Sequence, residues 1–155
     1  MREQHHELLR LRDAVVPLLD AERLVRSCTE VRLKLSAFAR KLRVHLLLEV
    51  RFIYGRLLRH SDPAIVARAA QHQQEMHSLR DRIKDYAGQW ISMEVAIQNE
   101  PSQFVEATKS ILGLVSKRFE LEDRDLYPLV DRILSPSGTW PIDLIAEAHE
   151  TRSAG

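Results

Sequence analysis

The sequence contains one cysteine, Cys28, which excludes an internal disulfide and a cysteine-rich zinc or iron–sulfur site. Neither sign of charge is in excess: the formal net charge is +1, so we expect no nucleic-acid partner and no membrane partner. No apolar run approaches the length of a membrane span, and the N-terminus lacks the apolar core of a signal peptide. We therefore expect a cytoplasmic protein.

Aromatic residues are also scarce, at 6%, but apolar residues recur at helical spacing along most of the chain, with no competing strand pattern. Hydrophobic residues make up 45% and charged residues 29% of the 155 positions, as in helical globular domains. We predict an all-α protein, an antiparallel up-down-up-down four-helix bundle. The bundle should cover residues 1–134. Residues 135–155 should form a C-terminal segment with a short helix at 141–150 and a polar tail.

Local signals set the approximate ends of the four long helices. Pro17 predicts a distortion late in the first helix. Ser27 and Glu30 fit a capping box at the start of the second. Asp62 followed by Pro63 is typical of the start of the third, as a cap and a proline at the first helical position. The predicted helices cover, to within a few residues, 1–20, 28–59, 63–90 and 101–134.

One motif occurs twice, in the second and fourth predicted helices. Residues 38–55 read FARKLRVHLLLEVRFIYG, and residues 111–128 read ILGLVSKRFELEDRDLYP. When the copies are aligned, Glu49 falls on Glu122, and a tyrosine follows each glutamate five residues later. The repeat predicts that these two helices point the same way and lie diagonally across the core.

The copies differ at the position four residues before the glutamate, where the first has His45 and the second has Arg118. A histidine and a carboxylate at i and i+4 lie one above the other on a helix and can hold one metal ion between them. The first copy has this pair. The second has lost its nitrogen ligand, because arginine does not give up its proton to bind a metal.

The other helices offer further histidines. On the third helix His72 lies in the apolar stripe. His77 lies off that stripe, although its sequence context, QEMHSLRDRI, looks more like that of a ligand. We favour His72 because its position around the helix points it inwards. On the first helix His5 projects along the inward face better than His6. Imidazole and carboxylate together suit iron, zinc or manganese, and bridging carboxylates suit a two-metal centre. The candidate metal ligands are His5, His45, Glu49, His72, His77 and Glu122.

With these motifs the chain resembles the hemerythrin-like (HHE cation-binding) domains over roughly residues 1–134. That family has an early histidine, His-x-x-x-Glu-x-x-x-Leu-Tyr-Pro near the middle, a histidine on the third helix, and His-x-x-x-Glu-Glu-x-x-Leu-Tyr-Pro on the fourth. The matching pieces here are HHELLRL, HLLLEVRFIYG, His72 or His77, and RFELEDRDLYP. The resemblance implies a non-heme iron pair bridged by the two motif glutamates. It also implies oxygen or nitric-oxide binding, redox sensing or iron handling.

The sequence departs from the family pattern at Arg118, at Val50 in place of a glutamate and at Gly55 in place of a proline, which leaves two hypotheses. In the first, a degenerate site binds one or two non-heme iron ions and serves small-ligand sensing, redox sensing or iron handling. In the second, Arg118 pairs with both motif glutamates through forked hydrogen bonds, and a metal-free bundle acts as a binding or regulatory module. No catalytic triad or glycine-rich phosphate loop is present, so we do not expect an enzyme.

Overall fold

The computed structural model describes residues 1–92 and 94–134. The short helix predicted at 141–150 lies outside the described residues. No described helix carries an apolar stretch long enough to cross a bilayer. Within these residues the chain forms helices and no strand: Arg2–Val15 (α1), Ala21–Arg26 (α2), Thr29–Glu49 (α3), Pro63–Tyr86 (α4), Glu94–Asn99 (α5) and Pro101–Leu121 (α6).

Three of the long helices continue through a π-helical turn, which inserts one extra residue into the α-helical repeat. After α3 comes the π turn Val50–Tyr54 and then Gly55–Leu57. After α4 comes the π turn Ala87–Ile91. After α6 comes the π turn Glu122–Leu126 and then Tyr127–Leu134. Both copies of the repeated motif therefore carry a π turn at or directly after the motif glutamate.

The helices α1, α3, α4 and α6 form the predicted four-helix bundle, in which neighbouring helices run antiparallel. The direction follows from cross-helix bonds, because residue numbers rise along one helix as they fall along its neighbour. These bonds join Arg2 to Asp131 and Arg12 to Ser116 (α1 and α6), Glu75 to Arg118 and Tyr86 to Thr108 (α4 and α6), and Gln4 to His45 and Glu7 to Lys41 (α1 and α3). Since α3 and α6, with their π turns, each pack against α1 and against α4 with its own π turn, they lie on one diagonal.

The predicted N-terminal cap is confirmed for α4 and wrong for α3. Asp62 accepts the backbone N–H of Ala64 at 2.8 Å and caps α4 as expected. The capping box predicted for α3 is wrong, because α3 has Cys28 at its N-cap with no side-chain cap bond. Ser27 instead ends α2, and the side chain of Glu30 pairs with an arginine of that helix. The sequence pattern did not predict the short helices α2 and α5.

The core is apolar along most of its length, but the described residues bury seven polar or charged side chains. Thr108 is one of these; it donates to the carbonyl of Phe104 and bonds the hydroxyl of Tyr86. The other six contact one another as one connected group, in which every side chain is at most 7% exposed. They are His5, His45, Glu49, His72, Arg118 and Glu122.

Candidate metal centre

Three helices bring together four of the predicted ligands. His5 comes from α1, His45 and Glu49 from α3, and Glu122 from the π turn after α6. Each offers one ligand atom, and these four atoms all lie within 4.8 Å of one another. Because four ligand atoms lie this close together, the four side chains could share one cation.

Hydrogen bonds on the outer side of the two imidazoles set which ring nitrogen carries the proton. The Nδ1 atom of His5 lies 3.2 Å from Oδ1 of Asp123, and Nδ1 of His45 lies 3.0 Å from Oε1 of Gln4. Both partners are acceptors, so each ring carries a proton on Nδ1, and in the neutral form that a metal ligand requires the lone pair of Nε2 faces inwards. Burial lowers the pKa of His45, which favours this neutral form. The two Nε2 atoms face each other at 3.1 Å.

Each motif glutamate accepts a hydrogen bond at one carboxylate oxygen and has no hydrogen-bond partner at the other. Oε1 of Glu49 accepts from the hydroxyl of Tyr127 at 2.9 Å, and Oε1 of Glu122 accepts from the Nε–H of Arg118. Oε2 of Glu122 lies 3.1 Å from Nε2 of His5 but makes no hydrogen bond there. Both Oε2 atoms are buried without a hydrogen-bond partner. Such unsatisfied oxygens destabilise a fold unless a cation binds them.

The two carboxyl groups differ in their affinity for protons. Burial raises the pKa of Glu49, and the negative charge of Glu122 raises it further. Burial also acts to raise the pKa of Glu122, but contacts with His45 and His5 and the charge of Arg118 outweigh it and lower that pKa to about 2. As the pH rises, Glu122 therefore loses its proton before Glu49 does.

The guanidinium of Arg118 occupies the opposite side of Glu122 and is 5% exposed. Besides its bond to Glu122, it donates through Nη2 to the hydroxyl of Tyr54 at 2.7 Å. Its Nη1 atom lies 3.4 Å from Nδ1 of His72 and 3.4 Å from Oε2 of Glu75. A fixed cation thus stands beside one of the two motif glutamates.

Arg118 does not form the fork that the second hypothesis predicts. It pairs with Glu122 but makes no hydrogen bond to Glu49, whose Oε1 atom bonds Tyr127 instead. The guanidinium therefore neutralises only Glu122. The Oε2 atoms of Glu49 and Glu122 both remain without a hydrogen-bond partner.

The two candidate histidines of α4 lie outside the group of four. His72 is 7% exposed, as its phase predicts, and burial together with the charge of Arg118 lowers its pKa. His77 is half-buried and makes no hydrogen bond or ion pair with the described residues. Neither belongs to the cluster whose ligand atoms lie within 4.8 Å of one another.

Comparison with known proteins gives the family of the chain. Residues 1–138 match the family model of the hemerythrin HHE cation binding domain. The chain belongs to the hemerythrin HHE family. No curated protein and no solved structure is significantly similar to it. The HHE domain is thus a cation-binding helical domain by family, and its buried histidines and glutamates provide a site at which a metal could bind.

Two tyrosines of the HHE domain reach the site, although the motif indicates only that an aromatic residue follows each glutamate. In an unbroken α-helix a residue at i+5 lies about 140° around from residue i, away from the glutamate's face. The extra residue of a π turn reduces this angle to about 40°. Tyr54 and Tyr127 are therefore fully buried, where Tyr54 bonds Arg118 and Tyr127 bonds Glu49 and lies 3.0 Å from Nε2 of His5.

Gln4 and Asp123, which orient the two imidazoles, were also missed from the sequence. Each directly adjoins a candidate ligand, Gln4 before His5 and Asp123 after Glu122. Adjacency on a helix puts two side chains about 100° apart, so it does not indicate a shared partner. Their roles depend on contacts between different helices, α1 with α3 and α1 with the turn after α6.

Proposed function

We propose that this HHE domain binds one non-heme iron ion between α1, α3 and the π turn after α6. The ligands would be His5, His45, Glu49 and Glu122. The observation that carries the proposal is the convergence of two imidazole lone pairs with two buried carboxylate oxygens that have no hydrogen-bond partner. With both carboxyl groups ionised and both rings protonated only on Nδ1, each of these atoms accepts and none donates, so a cation satisfies all of them together.

The donor chemistry supports iron within the cation-binding function of the family. Two imidazoles with carboxylates suit iron, zinc and manganese, and a histidine–carboxylate set with open positions is typical of non-heme ferrous iron. Bound iron supplies one-electron redox chemistry and a position for a small diatomic ligand. We propose that the domain uses it to sense oxygen, nitric oxide or redox state, or in iron handling.

Arg118 supports one ion rather than two. A second ion would lie on the far side of Glu122, where the guanidinium already binds Oε1 of that residue. Two unit charges about 4 Å apart repel by roughly 4 kcal/mol at an effective dielectric constant of 20, and a divalent ion feels about twice that. For the same reason we do not include His72, which faces the guanidinium, among the ligands. We do not include His77 because it lies outside the cluster.

Anaerobic titration of metal-free protein with ferrous iron tests the proposal. We expect a rise in melting temperature that saturates at one equivalent, because the ion binds the folded state alone. Nitric oxide added to the saturated protein should produce an absorption band that excess iron does not increase. A protein that binds one equivalent of zinc but no ferrous iron would contradict the iron assignment while leaving the cation site intact.

A second candidate function is a metal-free binding or regulatory module. The ion pair between Arg118 and Glu122 favours it, since that pair neutralises one carboxylate without a metal. The unpartnered oxygens of Glu49 and Glu122 weigh against it, because an empty site leaves both buried and unsatisfied. An unchanged melting temperature on adding ferrous iron, together with metal-free protein after expression in iron-supplemented medium, would favour this module over the iron site.

A further inference from the structure

An apolar cavity of about 410 Å³ lies between α3 and α4, apart from the metal cluster. Its volume falls in the range of small-molecule sites, about 300–1,000 Å³. The walls are aliphatic and include no aromatic ring; they include Leu42, Leu46, Val50, Met76, Ile83 and Ala87. A flexible aliphatic chain suits such walls better than a flat ring, which gains most from stacking on aromatic side chains.

Three cations line the same cavity, and none of the described acidic residues does. They are Arg43 on α3 and Arg80 and Lys84 on α4. All three are exposed, and Arg43 and Lys84 form no ion pair with the described residues. Arg80 has one distant partner, Asp81, at 3.9 Å. The apolar walls thus end in an excess of positive charge, which complements an amphipathic ligand with an anionic head.

We propose that this cavity binds the anion of a fatty acid, with the alkyl chain between α3 and α4 and the carboxylate among Arg43, Arg80 and Lys84. Burial of the chain provides most of the affinity, because each methylene removed from water contributes about 0.8 kcal/mol. The rim cations select the carboxylate over an uncharged head group. The site shares no residue with the metal cluster, so binding does not require iron.

Isothermal titration of the full chain with dodecanoate, below its micelle concentration, tests the proposal. We expect saturable binding of one dodecanoate per chain, with about 15-fold weaker binding of decanoate, which lacks two methylenes. Dodecanol, which lacks the charge, should bind more weakly than dodecanoate. Lys84→Gln should weaken dodecanoate binding and leave dodecanol binding unchanged.

Leu47 and Leu33 supply a matched pair of variants on α3. Leu47 lines the cavity and is 61% exposed, whereas Leu33 is 68% exposed and does not line it. Since both side chains lie largely in solvent, neither substitution should unfold the bundle, and circular dichroism checks this. Leu47→Glu places an anion beside the ligand and should abolish binding, while Leu33→Glu should bind like the parent.

Three outcomes would overturn the proposal. The first is no saturable dodecanoate binding by the folded parent, and the second is equal binding by the Leu47→Glu and Leu33→Glu variants. The third is a dimer in analytical ultracentrifugation that Leu47→Glu dissociates and dodecanoate does not, because the occupant would then be a second copy of the chain.

Discussion

Replacing Arg118 with methionine tests how strongly the buried guanidinium stabilises the metal-free bundle. Methionine preserves much of the side-chain volume, so the main change is the loss of charge and hydrogen bonds. Arg118 is 5% exposed and donates to Glu122 and Tyr54, so the variant loses two buried hydrogen bonds from a charged donor. At about 1.5–3 kcal/mol each, these bonds amount to roughly 3–6 kcal/mol.

The cost of breaking a buried ion pair gives a similar figure, about 3–5 kcal/mol, because Glu122 keeps its charge and loses its partner. For a chain of this length, each kcal/mol lowers the melting temperature by about 2–4 °C. We therefore expect the metal-free Arg118→Met protein to melt about 6–20 °C below the parent. Differential scanning calorimetry after chelator treatment measures the change, and urea titration gives the free energy of unfolding.

Two further variants separate the charge from the packing. Arg124→Met removes an exposed arginine of the π turn after α6 whose one partner among the described residues is its neighbour Asp125, and should melt like the parent. Adding Glu122→Gln to Arg118→Met removes the stranded charge and should recover much of the lost stability. If Arg118→Met melts within 2 °C of the parent, the guanidinium does not neutralise Glu122 in the way described.

The remaining predictions concern metal binding. Glu49→Gln should abolish ferrous iron binding in the anaerobic titration while the metal-free protein keeps its fold, because the amide preserves the shape but loses the anionic ligand. His45→Gln should do the same, and its matched control His77→Gln should bind iron like the parent, since only His45 belongs to the cluster. Arg118→His should raise the iron content above one ion per chain, because it removes the fixed cation and supplies a nitrogen ligand beside Glu122; an unchanged content would contradict the role given to Arg118.

The helical periodicity was enough to predict the bundle, because buried positions on a long helix repeat regularly in sequence. It also indicated that His5 rather than His6 points inwards, and His5 is fully buried while His6 is exposed. The same regularity failed beyond Glu49, where a constant angle per residue predicts that Phe52 shares its face. The π turn shifts the face, so Phe52 is half-buried and Tyr54 is fully buried.

The bonds around Arg118 could not be predicted from the sequence for a different reason. Charge complementarity alone allows Arg118 to donate to both Glu49 and Glu122. The geometry of the π turns determines which donor lies beside each carboxylate. Tyr127 donates a hydrogen bond to Glu49, and Tyr54 accepts one from the guanidinium of Arg118. Hydrogen-bond partners across a bundle depend on the register between helices, which a single sequence does not specify.

The ratio of iron to chain tests the central claim most directly. The protein is expressed with added iron and purified without chelator, then analysed by inductively coupled plasma mass spectrometry against a protein concentration from amino-acid analysis. One iron ion per chain is the expected result, with His5, His45, Glu49 and Glu122 as ligands and Arg118 in place of a second ion. A ratio near two, or a protein that retains no metal, would contradict it.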